Sequence, residues 1–297
     1  MCEICPRHCS VDRTKSKGVC RMGELAVVAK ACLHQWEEPC ISGTRGSGTV
    51  FFSGCNLSCV FCQNSAISQE CYGKEVTADR LADIYLELQD KGAHNINLVN
   101  PTHFTARIKE SLLKAEGLKI PVVYNSNGYE RLESLKEMEG LINVFLPDLK
   151  YYNGDTAAKY SGAADYFRFA SAAVAEMYKQ VGDVELDGEG IIKKGLIIRH
   201  LILPGMAAES LKVLDWIKGN LPSTVTISLM SQYTPYYKAS GHPEIGRRIT
   251  RREYERVVEH FFKLGFENGY VQERESAEED YIPEFNLEGV DPASTEI

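Results

Sequence analysis

The sequence predicts an α/β fold in which a mainly parallel sheet is packed against helices. Short runs rich in β-branched and aromatic residues recur along the chain, and stretches of helical period separate them. Length agrees, because 297 residues are ample for a buried core in one large domain or in a domain with an appendage.

The strand-like runs are residues 49–53, 95–100, 121–126, 143–150, 196–203 and 224–230. After the first, Thr77 opens a helix on which Leu81, Ile84, Tyr85 and Leu88 recur at i, i+3, i+4 and i+7, and Ile108, Leu112 and Ala115 mark the next. The last helix starts with Thr250 and Glu253 at capping-box spacing, carries Tyr254, Val257, Val258 and Phe261 as its apolar stripe, and is closed by Gly265. Six β-then-α units suit either a sheet curled into a barrel or an open, doubly wound one, and periodicity does not choose between them. Residues 1–48 fall outside this rhythm. Their Gly/Ser-rich exit, 42–48, lacks the Gly-Lys-Ser/Thr ending of a phosphate cradle and reads as a flexible connection. Residues 273–297 are acidic and weakly periodic, a solvated tail or a loose cover. The expected division is 1–48, 49–272 and 273–297.

A net charge of −8 with no long basic block argues against nucleic-acid binding. Ten cysteines and no apolar leader suit a cytoplasmic thiol and metal protein better than a disulfide scaffold. The most apolar run, 195–204, is broken by Arg199 and His200 and is too short to span a bilayer, so no membrane partner is expected.

Within Gly54-Cys55-Asn56-Leu57-Ser58-Cys59-Val60-Phe61-Cys62-Gln63-Asn64, three cysteines stand in a C-x3-C-x2-C array. Three soft ligands are one fewer than the four that hold an iron–sulfur cluster or a structural zinc, which leaves a metal corner open for chemistry. The array, with Phe61 just before its last cysteine, resembles the signature of the radical S-adenosylmethionine (SAM) enzymes. That resemblance implies a [4Fe–4S] cluster on Cys55, Cys59 and Cys62, SAM on its open iron, and a 5′-deoxyadenosyl radical that abstracts hydrogen from a substrate. It also implies an incomplete (βα)6 radical SAM barrel with the cluster loop after the first strand, where Cys55 follows 49–53. Sites of such barrels lie at the C-terminal ends of the strands.

Within that superfamily the chain resembles the activating enzymes of glycyl radical enzymes, such as pyruvate formate-lyase activating enzyme, over about residues 49–240. Cys62-Gln63-Asn64, Asp148-Leu149-Lys150, Tyr160-Ser161-Gly162, Ile198-Arg199-His200 and Leu203-Pro204-Gly205 carry this likeness. The resemblance implies a monovalent-cation site of Asp148, Asn125, Ser126 and the Leu146 carbonyl. Where the activases have Gly-Gly-Glu to hold the SAM amino group, this chain has Asn100-Pro101-Thr102-His103, so Asn100, Thr102 or nearby backbone would take that role. Asn125-Ser126-Asn127-Gly128 is one charge poorer than the activases' Asp-Thr-Asn-Gly.

Spacing adds further candidates. Asp148 and Lys150 share one face of a strand, either at a ligand or as a rim salt bridge. Arg199, between Ile197 and Leu201 on an apolar strand, needs a carboxylate or ribose, or a structural partner. His200 points to the opposite face and reads as a packing residue. Gln232, in Ser231-Gln232-Tyr233, offers hydrogen bonds to adenine or ribose, or is simply polar rim.

Cys2, Cys5, Cys9 and Cys20 are spaced C-x2-C-x3-C-x10-C, enough for a closed second metal site stapling a segment too short to own a core. Zinc and an iron–sulfur cluster both fit four thiolates. Cys5-Pro6-Arg7-His8-Cys9 resembles a subset of uncharacterised radical SAM proteins; His8 reads as a bystander, and Cys32, Cys40 and Cys71 as single buried thiols. The expected function is hydrogen abstraction from a protein or peptide, a glycyl radical enzyme foremost, with a flavodoxin- or ferredoxin-type electron donor. An incomplete barrel leaves a lateral opening that an acidic tail bearing Glu275, Glu278, Glu279 and Asp280 cannot easily seal, which suits a polypeptide substrate. The other readings are a radical SAM enzyme acting on a small metabolite and a non-catalytic electron-transfer protein, the latter needing a fourth cluster ligand such as Cys71.

Overall fold

The computed structural model describes residues 1–273 and 283–292. The strands are β1 (Ala26–His34), β2 (Ser47–Phe52), β3 (Lys74–Val76), β4 (Ile96–Val99), β5 (Val122–Ser126), β6 (Val144–Pro147), β7 (Glu185–Leu186), β8 (Ile192–Leu201), β9 (Thr226–Met230) and β10 (Asn268–Val271). They join in the order β10-β9-β8-β6-β5-β4-β2-β1-β3, with β7 attached to β8. From β2 to β10 every pairing along this path is parallel, while β1 joins β2 and β3 antiparallel.

This order settles what periodicity left open. A doubly wound sheet reverses its strand order at a switch point. Here the parallel strands succeed one another in chain order without reversal, so right-handed crossovers put the helices on one side and the sheet curls around the other. The fold is an α/β partial barrel, with no pairing of β10 to β3 among the described residues.

All six expected strands are present. β1, β3, β7 and β10 were not expected, and β1 makes residues 26–34 part of the sheet. Alternation sorts the side chains. Val50, Phe52, Leu98, Tyr124, Phe145, Ile198 and Leu229 face the helices in the large core. Val123, Val144, Leu146, Ile192 and Ile197 face inward and pack with Cys40 and Ile41 from the short helix Pro39–Ser42. The chain between β1 and β2 therefore passes through the barrel interior rather than over its surface.

Outside, Thr77 accepts the Arg80 amide at 3.1 Å to start the helix Ala78–Asp90. Thr250 and Glu253 form the complete capping box of the helix Arg251–Lys263. Of its expected stripe, Val257 and Phe261 are buried, and Tyr254 and Val258 are half-buried. Among the described residues no helix is long and apolar enough to cross a membrane.

Residues 283–292 are docked on the sheet. The Leu287 amide donates to the Ala29 carbonyl (3.0 Å) and the Ala31 amide to that of Glu288 (2.7 Å), while Phe285 packs edge-on to Phe51. Arg80 binds this segment, donating to the carbonyls of Gly289, Val290 and Asp291 at 2.9–3.2 Å. Glu275, Glu278, Glu279 and Asp280 lie outside the described residues. Because Arg80 collects three carbonyls, Arg80→Ala should speed hydrogen exchange at the Ala31 and Leu287 amides by tenfold or so, leaving β5 and β6 protected. Unchanged exchange at both amides would show that the backbone pairing holds the segment unaided.

Candidate active site

The C-terminal ends of β2, β4, β5, β6, β8 and β9 open into one cavity of about 280 Å³, near the lower bound for small-molecule sites. Its lining brings together Cys55, Cys59, Phe61, Cys62, Asn100, Asn125, Ser126, Asp148, Lys150, Arg199 and Gln232 from the expected set. It adds His34, Trp36 and Glu37 from the segment after β1, and Pro283 from the C-terminal segment.

The cysteine loop leaves β2 through Gly54, whose φ of +79° favours glycine. A Cβ there would lie 2.4 Å from Met22 Cγ and 2.6 Å from the Cys20 carbonyl oxygen, so the N-terminal segment is pressed directly on the loop. Asn56 donates to the Tyr129 carbonyl at 2.7 Å and holds the loop against β5's exit. Each sulfur has a polar neighbour. The Leu57 amide and Asn127 Nδ2 donate to Cys55 Sγ at 3.4 Å, Ser161 Oγ lies 3.0 Å from Cys59 Sγ, and Ser68 Oγ lies 3.2 Å from Cys62 Sγ. Burial pushes Cys55 up to about 12 and Cys59 to about 11, and raises Cys62 as well. Such groups stay thiols until a cation supplies compensating charge. Phe61 packs against Tyr233, ring centroids 5.7 Å apart.

Below the sulfurs lies an ionic floor. Arg199 Nε donates to Asp148 Oδ1 (2.9 Å), Nη1 to Glu37 Oε2 (3.3 Å) and Nη2 to Asn125 Oδ1 (2.5 Å). Glu37 Oε1 also accepts from Asn97 (3.0 Å) and Asn125 (3.2 Å), and Lys150 pairs with the second oxygen of Asp148. Burial alone would raise Asp148, but Arg199 and Lys150 hold its carboxyl below the usual range. For Glu37 burial prevails over Arg199 and the direction is upward, so Asp148 is the firmer anion.

The sequence pattern of the radical SAM superfamily matches residues 49–234, more than half of the chain. The chain belongs to the radical SAM superfamily. An uncharacterized protein of Methanocaldococcus jannaschii is 32% identical over 268 residues, covering 87% of this chain and 73% of the relative. Among solved structures, SuiB of Streptococcus suis bound to the precursor peptide SuiA is similar at TM-score 0.50 and 15% identity, covering 74% of this chain and 46% of that one. SuiB bound to S-adenosylmethionine gives TM-score 0.51 and 15% identity over 74% and 48%. The chain thus spans about half the length of the solved structures it matches, and at that identity the likeness is one of fold.

Radical SAM membership implies a [4Fe–4S] cluster and SAM, and the residues fit. Among the described residues no group of three or more His, Cys, Asp or Glu is gathered tightly enough for a single metal ion. A cubane asks for something else, one thiolate on each of three irons, and three buried thiols with hydrogen-bonding neighbours around one cavity answer that need.

Not every expected residue faces the cavity. Thr102, in the 3-10 turn Thr102–Phe104, is turned away and donates to Glu130 Oε1 at 2.6 Å. The turn after Pro101 carries its hydroxyl toward Glu130, and Thr102 is absent from the cavity lining. Asn100 does stay at the site, with Oδ1 3.6 Å from Cys55 Sγ. The guanidinium of Arg199 is fully engaged by its own chain. Arg199→Ala would leave Glu37 and Asp148 without their shared cation at a cost of about 3–5 kcal/mol, so it cannot spare stability, as a purely ligand-facing arginine would. Both carboxylate oxygens of Asp148 are engaged by Arg199 and Lys150, so charge at the expected monovalent-cation site comes from the chain itself. His200 is buried on the outer face, its Nδ1 2.7 Å from the Leu149 carbonyl oxygen. Glu37 was missed because nothing in its local sequence marks it.

The N-terminal thiols are neighbours. A Cβ on Gly18 would lie 3.2 Å from Cys9 Sγ and 3.4 Å from Cys20 Sγ, and Cys5 stands within electrostatic reach of Cys20 and Cys2. Cys71 does not line the cavity; its sulfur lies near the Gln69 carbonyl.

Glu130 is fully buried among the hydroxyls of Thr102, Tyr124 and Ser126, and burial pushes it up to about 7. The unfolded chain ionises near the ordinary 4.5. A raised carboxyl therefore makes folding stability fall as pH climbs from 4.5 to 7 and level off above, by on the order of 3 kcal/mol at most. Glu130→Gln should remove that slope, its thermal midpoint gaining several degrees on the wild type between pH 5 and 8. Parallel curves would show that Glu130 does not titrate in this interval.

Proposed function

We propose that this radical SAM enzyme abstracts hydrogen from a carbon of a protein or peptide, in the manner of a glycyl radical enzyme activase. The observation that carries the radical SAM part is a set of three cysteines lining a cavity at the C-terminal end of a partial barrel, with no fourth cysteine in that lining among the described residues. Cys55, Cys59 and Cys62 would hold the cluster, which would supply one-electron reduction of SAM bound beside it and so the means to take hydrogen from carbon.

The chain's own groups prepare this. The hydroxyls of Ser68 and Ser161 and the amide of Asn127 donate toward the thiolates, steadying their charge. Asn100, Ser126 and Gln232 line the cavity and would offer polar atoms to the amino acid and nucleoside ends of SAM. The Arg199–Asp148–Glu37 floor fixes the depth at which a ligand sits. Lys150 pairs with Asp148, so a positive charge already stands beside that carboxylate. Walls of Phe51, Phe61 and Tyr233 would exclude water from a reactive radical. A cytoplasmic location and a flavodoxin- or ferredoxin-type donor accompany this reading.

The peptide substrate is supported by SuiB, which is bound to a precursor peptide on a similar fold. A second reading has its own observation. Pro283 lines the cavity and Phe285 packs on Phe51 at its mouth, an enclosure that favours a small metabolite. We further infer that Cys2, Cys5, Cys9 and Cys20 would close around zinc or an iron–sulfur cluster on binding it, since among the described residues these thiols are neighbours but not yet gathered tightly enough for a single ion. Arg13 Nε and Nη2 are buried without an acceptor among the described residues, and Arg13 acts on Cys20, where thiolate-bound metal would supply the missing negative charge.

The variant Cys55→Ala/Cys59→Ala/Cys62→Ala should abolish 5′-deoxyadenosine formation by the reconstituted, reduced enzyme; undiminished turnover would end the assignment. The same variant should still carry zinc or iron at its N-terminus, and a metal-free protein with residues 1–40 ordered would refute the second centre. Size-fractionated cytosolic extract should stimulate 5′-deoxyadenosine release through its high-mass fraction. Stimulation by the low-mass fraction alone would establish the metabolite reading.

A further inference from the structure

We propose that the surface around Ser58, framed by the N-terminal segment, is the docking face for an acidic one-electron carrier protein. The proposal rests on the radical SAM reading, which requires that electrons reach the cysteine loop from outside.

The loop itself meets solvent at Ser58, an exposed residue one position before Cys59 and three after Cys55. Ser58 is absent from the cavity lining, so a protein seated there leaves the substrate entrance free. Two arginines of the N-terminal segment frame it. Arg21 Nη2 donates to Ser58 Oγ at 3.4 Å. Arg7 Nε donates to the Asn56 carbonyl and Nη1 to that of Gly162, both at 2.6 Å, with its guanidinium over the Tyr129 ring at 5.2 Å. These contacts fix positive charge on the outer side of the loop before any partner arrives.

Charge around the frame is predominantly positive, although Asp12 pairs with Lys15 at 3.4 Å. Residues 7–21 hold five arginines and lysines against one aspartate, in a chain whose net charge is −8. Lys15 is 81% exposed along its side chain, and Lys17 is exposed too. Val19 stands between Lys17 and Arg21, half exposed, a small apolar contact within a cationic rim. A basic patch on an acidic protein attracts a negatively charged partner and turns away copies of the same chain. The patch also abuts the segment that follows the loop, because Lys17 and Arg21 both act electrostatically on Cys71.

The chemistry balances without further reagents. The reduced carrier, holding a flavin or an iron–sulfur group, loses one electron, the loop's cluster gains one, and no bond or proton moves in that step. The patch contributes encounter rate and orientation.

The test uses Lys15→Glu/Lys17→Glu in the reconstituted full chain. Formation of 5′-deoxyadenosine is driven either by a reduced acidic flavodoxin or by dithionite, and affinity for the oxidised flavodoxin is measured separately. At low ionic strength the variant should lose about tenfold in flavodoxin-driven rate and in affinity, with the dithionite-driven rate unchanged, and the loss should shrink near 0.15 M salt, where the screening length is about 8 Å. An unchanged affinity and flavodoxin-driven rate would overturn the proposal, as would an equal fall under both reductants. A wild-type protein inactive with dithionite would count against the radical SAM reading, and the affinity comparison would still decide the docking face.

Discussion

Arg199 shares its face of β8 with Ile197 and Leu201, and its charge cannot stay inside the barrel without acceptors to meet it. The three groups that do so come from three places: Asp148 at the end of β6, Asn125 on β5, and Glu37 on the segment that dips into the barrel between β1 and β2. Satisfying one guanidinium therefore fixes the spacing of three strand ends and draws the N-terminal part of the chain into the interior. The cavity floor is the upper surface of that arrangement. Its height, and hence the space left beneath the cysteine loop, follows from side chains that must stay paired to remain buried.

The same dependence links the N-terminal segment to the cysteine loop. Gly54 lies so close to Cys20 and Met22 that no side chain fits between them, and Arg7 and Arg21 bind the loop's outer side. The loop is thus clamped between β5's exit and a segment that has little apolar core of its own. Order in one implies order in the other.

Much of the fold was legible in the sequence because its signals are local. Six strands announced themselves as apolar, β-branched runs, and each lies within a few residues of its expected place. β1 escaped because Ala26–His34 is rich in alanine and interrupted by Lys30 and Cys32, so its strand character comes from burial on both faces. β10 escaped because Asn268-Gly269 looks like a turn. The barrel itself needed strand order, which no period encodes. At the site, cysteine spacing is also local and pointed straight to the cavity. Glu37 could not be found that way, since its partner Arg199 is 162 residues distant. The side to which Thr102 turns is not legible for a related reason: a single turn after Pro101 decides where its hydroxyl faces.

The clasp of Arg80 on the carbonyls of Gly289, Val290 and Asp291 bears on how the chain is made. Ala29 and Ala31 leave the ribosome more than 250 residues ahead of their backbone partners, Leu287 and Glu288. At about 5–20 residues per second, that edge of β1 waits on the order of tens of seconds for its cover. During that wait it exposes unpaired amides and carbonyls, the pattern that recruits stray strands. The nascent protein is therefore open to mispairing along that edge of β1 until residues 287 and 288 arrive.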